Sequence, residues 1–425
     1  MNNNRVDASS WLDWGQSHPS WSIVSSSDNT LEGSCIVLGV TGSVAIYKSV
    51  DVARQLMRWG ASIRVVMTRA ATELVSPTLF EWATGLPVVT KLTGAVEHVS
   101  LARRCRALLI APATMDTLAD IASLHASDPV SALAQEMIGL GKPVLAVPVM
   151  HLGMWRRTRR IVERLARDGV AFMEPRVEGE QAKYPDPYLV AWWTESRILR
   201  GGDLDGLSVL VTAGPTRKRI DDVRVVTNPS SGLMGVSIAL EAAWRSARVV
   251  LVHGPLSCCN WSGWKNYLAK TASVESTEEM LERVLEEVKE VDMAFYAAAP
   301  ADYKPEKREE GKIPSIAGSI SLVLVPTKKI VEYAVKTNPN ALHVGFTAEP
   351  LTGEKLVARA LEKLERYNLD LIAANSTVET GSGFAHETNH IYIVSRDGVL
   401  REVKAHKRVV ARLLLDIAMQ RHRDR

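Results

Sequence analysis

The chain contains 425 residues, of which 46% are hydrophobic and 23% are charged. This length predicts two or three domains, each large enough to bury a core of its own. The formal net charge of +3 is small for this size, so we expect neither nucleic acid nor a membrane surface as a partner. No apolar run reaches the roughly 18 residues of a membrane-spanning helix, and the first residues lack the pattern of a secretory signal. We therefore expect a cytoplasmic protein.

The four cysteines, Cys35, Cys105, Cys258 and Cys259, do not have the spacing of a metal site. Adjacent cysteines such as Cys258 and Cys259 rarely form a disulfide with each other. We therefore predict buried or inert thiols in a reducing compartment.

The first 32 residues are rich in Asn, Ser and Asp and contain the isolated tryptophans Trp11, Trp14 and Trp21. We interpret residues 1–32 as an extension that lies over a neighbouring surface, because the tryptophans argue against complete disorder.

Short apolar runs alternate with helical patterns after this extension. The runs predict strands at Cys35–Val40, Ile63–Met67, Leu108–Ala111 and Val144–Val147. This alternation is typical of a parallel, doubly wound α/β sheet, in which ligands bind beyond the carboxyl ends of the strands. We place this first domain at residues 33–199.

A polar segment with two prolines, Glu178–Pro187, predicts a mobile flap or an exposed loop near the end of this domain. Gly201, Gly202 and Asp203 then mark a linker, which we place at residues 200–206.

The second domain, residues 207–425, repeats the alternation of strands and helices. Its predicted strands are Val209–Thr212, Arg248–Val252, Met293–Ala297, His343–Phe346 and Leu371–Ala374. The first strand leads into TAGPTR, Thr212–Arg217, and then into NPSSG, Asn228–Gly232, ahead of a predicted helix. Glycines and small hydroxyl residues at a helix start allow an anion close to the backbone. An ordinary strand–helix connection would have the same composition.

As a pair, these two phrases resemble the phosphopantothenate–cysteine ligase domain of the bifunctional coenzyme A biosynthesis family. In that family the Asn of N-x-S-S-G-x-M-G contacts the activated pantothenate, and Asn228 occupies that position. The segment Tyr296–Ser315 resembles a further ligase motif, in which Asp302 matches a nucleotide-contacting aspartate and Lys312 an essential lysine. A cation such as Lys312 suits carboxylate activation, because negative charge gathers on the attacked phosphate.

The ligase resemblance implies a nucleotide site and a two-step reaction. The implied nucleotide contacts are Gly214, Tyr296, Ala297, Ala298, Asp302, Lys312, Lys329, Ile330, Phe346 and Lys363. A nucleoside triphosphate with Mg²⁺ converts 4′-phosphopantothenate to an acyl nucleotidylate, and the cysteine amine then displaces the nucleotide. We assign no metal ligands, because Mg²⁺ often binds through substrate phosphates. The run Val325–Ile330 departs from the bacterial pattern, so the choice between CTP and ATP stays open.

Three strand ends of the first domain resemble the homo-oligomeric flavin-containing Cys decarboxylases, specifically phosphopantothenoylcysteine decarboxylase. They are GVTGSVA at Gly39–Ala45, APATMDTL at Ala111–Leu118 and PVMHLGMW at Pro148–Trp155. The resemblance implies a flavodoxin-like (Rossmann-like) domain, followed by a second Rossmann-like ligase domain. It also implies FMN, with contacts from Gly42, Ser43, Thr68, Ala113, Thr114 and Thr117.

Three candidate catalytic residues accompany this flavin site. His98 matches the family's catalytic histidine by its position, although a lone histidine is more often a surface or core residue. His151 replaces an Asn of the bacterial pattern, and Lys183 stands where the bacterial flap carries a Cys acid. We hypothesise that His151 binds the substrate carboxylate and that Lys183 donates the proton. An exposed loop lysine remains the alternative for Lys183.

Together these resemblances predict a bifunctional enzyme that makes 4′-phosphopantetheine from 4′-phosphopantothenate, cysteine and a nucleoside triphosphate. They also imply a homo-oligomer with trimer and dimer contacts, compatible with a dodecamer. One alternative is an active ligase fused to a catalytically silent flavin-binding scaffold. Another is a flavin reductase or prenyl-flavin-type transferase on the same scaffold.

Overall fold

The computed structural model describes residues 18–261, 263–383 and 386–425. Trp11 and Trp14 of the predicted extension lie outside the described residues. The chain forms two compact units, the first ending at Gly201 and the second beginning at Gly202, except that Trp261 and Gly263 group with the first. None of the helices in the described ranges has both the length and the apolar character needed to cross a bilayer.

The first unit alternates strands with helices. Its strands are β1 Cys35–Val40, β2 Ser62–Met67, β3 Ala107–Ala113, β4 Val144–Pro148, β5 Met150–His151, β6 Val170–Phe172, β7 Arg176–Glu178 and β8 Gln181–Lys183. Its helices are α1 Tyr47–Arg58, α2 Arg69–Leu74, α3 Pro77–Thr84, α4 Glu97–Arg104, α5 Met115–Ala122, α6 Pro129–Gly139, α7 Leu152–Arg167 and α8 Pro187–Arg200.

The main sheet of this unit has the strand order β2-β1-β3-β4-β6, with every pairing parallel. All residues of β3 and β4 are buried, which explains their continuous apolar sequence. The predicted doubly wound sheet is therefore confirmed. The strand order reverses between β1 and β3, and this switch point is where such sheets bind ligands.

The predicted flap contains a small sheet. Strands β7 and β8 form a hairpin, and β8 also pairs with β5, with His151 opposite Gln181. The prediction of a loop is wrong for Gln181–Lys183, because a three-residue strand is too short to give a periodic sequence signal. The pairing places His151 and Lys183 on neighbouring strands.

Disulfides replace the predicted free thiols. Cys35 begins β1 and Cys105 lies just before β3, the strand beside β1, and the two form a disulfide with Cα atoms 4.5 Å apart. Cys258 and Cys259 are also paired. For Cys35 and Cys105 the prediction of thiols is wrong because the parallel pairing of β1 and β3 brings together cysteines that are 70 residues apart in sequence.

The described part of the predicted extension packs on the first unit. Leu31 is fully buried, and its backbone N–H donates to Trp59 O at 2.8 Å. The Trp21 ring lies directly over Gly85, where an added Cβ atom would meet it at 2.7 Å. This contact leaves no room for a side chain at residue 85.

The second unit has more strands than the sequence predicted. Its strands are β9 Ser208–Ala213, β10 Arg217–Arg219, β11 Val225–Thr227, β12 Arg248–His253, β13 Lys270–Ser273, β14 Met293–Tyr296, β15 Tyr303–Pro305, β16 Leu324–Pro326, β17 Leu342–Glu349, β18 Leu371–Ser376, β19 Thr388–Ser395 and β20 Gly398–His406. Its helices are α9 Leu233–Trp244, α10 Thr277–Glu287, α11 Ile330–Thr337, α12 Gly353–Arg366 and α13 Lys407–Arg423.

The large sheet of the second unit has the order β13-β12-β9-β14-β17-β18-β19-β20. The strands from β13 to β18 are parallel, whereas β19 and β20 are antiparallel additions. The five predicted strands are confirmed. Strands β13 and β20 were missed because they are largely exposed and lack a continuous apolar run.

Helices α9 and α13 are joined by buried ion pairs. Arg245 is fully buried, and its guanidinium contacts Asp203 at 2.7 Å and Asp416 at 2.8 Å. Arg412 contacts the fully buried Glu241 at 2.8 Å. Each charge therefore has its partner, which offsets the desolvation cost of burying it.

Candidate active site

A cavity of about 580 Å³ opens in the second unit. Its walls include residues at the carboxyl ends of β9, β14, β17 and β18 and at the start of α9. Strand β9 is the switch point, since β12 lies on one side of it and β14 on the other. The cavity therefore lies where a parallel α/β sheet binds its ligand.

Two glycines of the NPSSGLMG phrase allow α9 to approach β9 closely. Gly232 begins the helix with φ +85°, a left-handed conformation that favours glycine. A Cβ atom at Gly235 would lie 2.6 Å from Thr212 O and 2.6 Å from the Ala213 side chain. Helix and strand are therefore in backbone contact at this point.

Asn228 lies at the cavity wall, just after β11. Its amide nitrogen donates to Ala299 O and to Pro300 O, both at 3.1 Å. Both amide hydrogens are used in this way, so the side-chain oxygen remains to accept a hydrogen bond from a ligand.

Two threonines hold the loop that follows β14. The Thr212 hydroxyl accepts a hydrogen bond from Ala298 N at 3.1 Å, and the Thr216 hydroxyl accepts one from Ala301 N at 2.8 Å. The TAGPTR phrase thus fixes the backbone of the loop that carries Asp302.

Ion pairs line the cavity. Lys329 contacts Asp302 at 2.6 Å. Lys363 contacts Glu349 at 2.5 Å and donates to the Thr347 hydroxyl at 2.8 Å. Burial raises the pKa of Glu349, but the hydrogen bond and the charge of Lys363 outweigh this effect and hold the pKa below its ordinary value. Glu349 is therefore a carboxylate at neutral pH, and it positions Lys363.

Most of the predicted ligase residues line this one cavity. They are Asn228, Tyr296, Ala297, Ala298, Asp302, Lys329, Ile330, Phe346 and Lys363. Gly214 does not line it; it packs beneath Gly232 and beside Leu256.

Lys312 also lies outside the cavity wall and is exposed. It belongs to the long segment between β15 and β16. Asp221 anchors this segment, because its carboxylate accepts a hydrogen bond from Ile313 N at 3.1 Å. Burial raises the pKa of Asp221, but backbone hydrogen bonds, led by that from Arg224, lower it well below its usual range.

Sequence reasoning missed several residues of the cavity wall. They are Thr347, Glu349, Arg359, Asn375, Asn389 and Lys407. Asn389 and Lys407 reach the cavity through the antiparallel strands β19 and β20, which the sequence did not predict. Glu349 lies three residues beyond the predicted strand His343–Phe346 and is the last residue of β17, so its place near that strand end was the available signal.

The predicted flavin residues meet at the switch point of the first unit. The Thr41 hydroxyl donates to Pro112 O at 2.8 Å and accepts from Thr114 N at 3.1 Å, which joins the ends of β1 and β3. The hydroxyls of Thr114 and Thr117 lie 3.3 Å apart. Ser43 caps the helical turn ahead of α1, and Thr68 caps α2.

This switch point fits a flavin phosphate. A Cβ atom at Gly42 would meet the Ala70 side chain at 2.7 Å, so the turn is too tight for a larger residue. The hydroxyls of Ser43, Thr114 and Thr117 lie at strand ends and helix starts, where backbone N–H groups attract anions. Ala113 closes β3 within the same turn.

The three candidate catalytic residues of this unit lie on different elements. His98 is on α4, and its buried Nδ1 has no hydrogen-bond partner among the described residues. His151 is exposed at the end of β5. Lys183, on β8, contacts Glu178 at 3.0 Å, and Arg176 contacts the same carboxylate oxygen at 2.5 Å.

Two family models match the chain. The model described as the DNA/pantothenate metabolism flavoprotein C-terminal domain matches residues 204–421, and the model described as Flavoprotein matches residues 24–193. The fold and these matches define a flavoprotein domain followed by a second α/β domain of pantothenate metabolism.

Relatives of nearly the same length are similar to the chain. It is 36% identical over 403 residues to the coenzyme A biosynthesis bifunctional protein CoaBC of Thermococcus kodakarensis, covering 93% of this chain and 97% of that protein. It is 32% identical over 415 residues to the Escherichia coli K12 protein of the same name, covering 93% and 99%. The chain therefore belongs to the family of coenzyme A biosynthesis bifunctional proteins, CoaBC. A crystal structure of the C-terminal domain of CoaBC is 31% identical, with a TM-score of 0.42, and covers 53% of this chain and 100% of that one.

The contact between α9 and β9 predicts that a single methyl group added at Gly235 lowers the stability of the protein. We expect Gly235→Ala to destabilise the protein by about 1–3 kcal/mol, because the new Cβ atom has no space against Thr212 O. Thermal unfolding of the full-length protein measures this effect. The matched control is Gly139→Ala, where an added Cβ atom meets nothing within 4 Å. Equal unfolding midpoints for the two variants would contradict the prediction.

Proposed function

We propose that the chain makes 4′-phosphopantetheine from 4′-phosphopantothenate and cysteine through a ligase step and a decarboxylase step. The cavity of the second unit carries the ligase, and the switch point of the first unit carries the flavin-dependent decarboxylase. The convergence of Asn228, Asp302, Lys329 and Lys363 on one cavity is the observation that carries this proposal.

The ligase step begins with attack of the phosphopantothenate carboxylate on the α-phosphorus of a nucleoside triphosphate. A P–O bond forms to the carboxylate, and pyrophosphate leaves. The cysteine amine then attacks the acyl carbon, loses a proton to solvent, and releases the nucleoside monophosphate. Asn228 is suited to orient the acyl group, because its position is fixed by two backbone carbonyls.

The charges along the cavity suit a polyphosphate. Six cationic side chains line it against three carboxylates; the cations are Lys328, Lys329, Arg359, Lys363, Arg366 and Lys407, and the carboxylates are Asp302, Glu349 and Glu362. The excess of positive charge attracts a nucleoside triphosphate, and Phe346 offers a ring for base stacking. We propose Mg²⁺ as the counter-ion of the leaving pyrophosphate and CTP or ATP as the nucleotide.

Lys312 is proposed to reach the transferred phosphate from the segment between β15 and β16. Its exposure and its place outside the cavity wall mean that this segment must move over the cavity for contact. The hydrogen bond from Ile313 N to Asp221 is made by the residue next to Lys312, so this hydrogen bond must break, or Asp221 must move with the segment, when Lys312 reaches the cavity.

The decarboxylase step takes place at the first unit, where bound FMN supplies the oxidation and the return of electrons. The buried Nδ1 of His98 has no hydrogen-bond partner in the described part of the chain, and His98 is proposed to handle a proton or to orient the substrate. His151 is proposed to bind the substrate carboxylate, and Lys183 to donate the final proton. Their neighbouring strands allow both side chains to act on one ligand.

We further propose a cytoplasmic homo-oligomer, with trimer contacts through the flavin domain and dimer contacts through the ligase domain. The proposed domain boundaries are residues 33–199 and 207–425, with 1–32 as an extension and 200–206 as the linker. The similarity to CoaBC relatives extends over both domains, which favours two activities over a ligase fused to a silent scaffold.

Incubation of the purified protein with 4′-phosphopantothenate, cysteine, Mg²⁺ and CTP or ATP tests the function by mass spectrometry. We expect 4′-phosphopantetheine. Accumulation of phosphopantothenoylcysteine alone would support the ligase with a silent flavin domain, and the absence of both products would contradict the proposal.

Substitution of Asn228 tests the ligase site. We expect Asn228→Asp to lower ligase kcat/KM by roughly 100-fold, because the carboxylate loses both donor hydrogens and repels phosphate. The matched control is Asn340→Asp on an exposed loop. Decarboxylation of added phosphopantothenoylcysteine serves as an internal check and should not change. A ligase loss of the same size in the control would contradict the assignment.

Two substitutions test the flavin unit. We expect His151→Ala to slow CO₂ release from phosphopantothenoylcysteine, and Lys183→Ala to slow formation of 4′-phosphopantetheine from it, each by at least roughly tenfold, while bound yellow FMN and ligase activity are retained. His125→Ala, an exposed histidine of the same unit, is the control. Full turnover in both variants would remove His151 and Lys183 from the mechanism.

A further inference from the structure

The cavity of the second unit ends at a buried lysine that the sequence did not single out. Lys407 is the first residue of α13, lines the cavity, and is only 3% exposed. Its ammonium donates to Gly383 O at 3.0 Å. Burial lowers the pKa of Lys407 to about 8. The ammonium has three hydrogens, so two donors remain after this contact.

Lys407 has no carboxylate partner within the described ranges, and this distinguishes it from Lys218, another buried lysine of the unit, and from two lysines of the same cavity. Lys218 is 5% exposed and is paired with Glu278. Lys363 and Lys329, in the same cavity, contact Glu349 and Asp302. A buried cation without a counter-ion is costly, and a bound anion removes that cost.

A second donor lies at the same end of the cavity. The Asn389 side-chain oxygen accepts hydrogen bonds from the Ser382 hydroxyl at 2.9 Å and from Gly383 N at 3.3 Å. These two hydrogen bonds fix the orientation of the amide. Its nitrogen donates to none of the described residues and is therefore left to donate to a ligand. Asn389 is only 4% exposed and lines the cavity with Lys407.

The carboxylates of the cavity wall are already paired. Asp302 contacts Lys329, Glu349 contacts Lys363, and Glu362 contacts Arg359. They therefore do not neutralise the end of the cavity that Lys407 and Asn389 form. Spare donors, burial and an unbalanced positive charge are the features of a phosphate site.

We propose that Lys407 and Asn389 bind a phosphate group of the ligand that occupies this cavity. The proposal rests on the proposed ligase function and adds two residues to its binding site. The phosphate belongs either to the nucleoside triphosphate or to 4′-phosphopantothenate, since the shared chemistry is a phosphoryl oxygen accepting N–H hydrogen bonds.

Isothermal titration of the full-length protein separates these two sources. The phosphorylated ligands are 4′-phosphopantothenate and CTP in the presence of Mg²⁺. Their unphosphorylated counterparts are pantothenate and cytidine, respectively. We expect Lys407→Met to lower the affinity for one phosphorylated ligand roughly tenfold to a hundredfold and to leave the affinity for its unphosphorylated counterpart unchanged. The phosphorylated ligand whose affinity falls is the one whose phosphate group binds Lys407. Lys404→Met, an exposed lysine of β20, is the matched control.

A second variant tests the site without removing structural contacts. Asn389→Asp keeps an oxygen for Ser382 and Gly383 but replaces the donor nitrogen with a negative charge. We expect it to weaken the same phosphorylated ligand as Lys407→Met does.

A structural role for Lys407 would give a different result. If Lys407 only holds the segment at Gly383, Lys407→Met lowers the unfolding midpoint and weakens phosphorylated and unphosphorylated ligands equally, which would overturn the proposal. Unchanged affinities in both variants would overturn it as well. Failure of the unsubstituted protein to bind any of the ligands would instead overturn the ligase function itself.

Discussion

The second unit depends on the direct backbone contact between α9 and β9. Because Gly235 has no side chain, the helix lies against Thr212 O, and its first turn lies over Gly214. This brings the end of β11 beside the loop after β14, so that Asn228 can donate to Ala299 O and Pro300 O. The TAGPTR and NPSSG motifs therefore form one structural unit. The glycines allow α9 to lie against β9, and Asn228 hydrogen-bonds to the loop after β14.

The cavity built on this contact holds its charges in place before any ligand arrives. Glu349 positions Lys363, and Asp302 positions Lys329, so the ammonium groups are ordered without a bound phosphate. The side chains of Lys329 and Asp302 are exposed and those of Lys363 and Glu349 are partly buried, and exchange of a carboxylate for a phosphate oxygen keeps each lysine satisfied. Lys407 differs because its only described contact is a neutral carbonyl. Binding of an anion there would add a charge pair where the described residues supply none, so the proposed phosphate site at this end of the cavity has the larger gain from binding.

The sequence predicted the parts of the fold that are buried on both faces, and it missed the parts that are not. Strands β1 and β9 are continuous apolar runs, and their positions were correct to within two residues. Strand β20 is mostly exposed, so neither its periodicity nor its composition distinguished it from a loop. The same limit hid Asn389 and Lys407, which reach the cavity only through the β19–β20 hairpin. Asn228 and Asp302 could be predicted from the sequence because they belong to local motifs. The disulfide between Cys35 and Cys105 could not be predicted, because it depends on the pairing of strands that bring together cysteines 70 residues apart.

The hairpin of the first unit constrains how Lys183 can act. Its ammonium and Arg176 share one oxygen of Glu178, and the hydrogen bond from Lys183, followed by the charge of Arg176, lowers the pKa of that carboxyl group. Glu178 therefore stays ionised at neutral pH and holds Lys183 on the hairpin. A lysine in this pair donates its proton to a substrate only after it leaves the carboxylate, and Arg176 remains to neutralise Glu178 when it does. In the proposed mechanism, proton donation by Lys183 therefore depends on substrate entering beside β8, where His151 on the neighbouring strand is proposed to bind the substrate carboxylate.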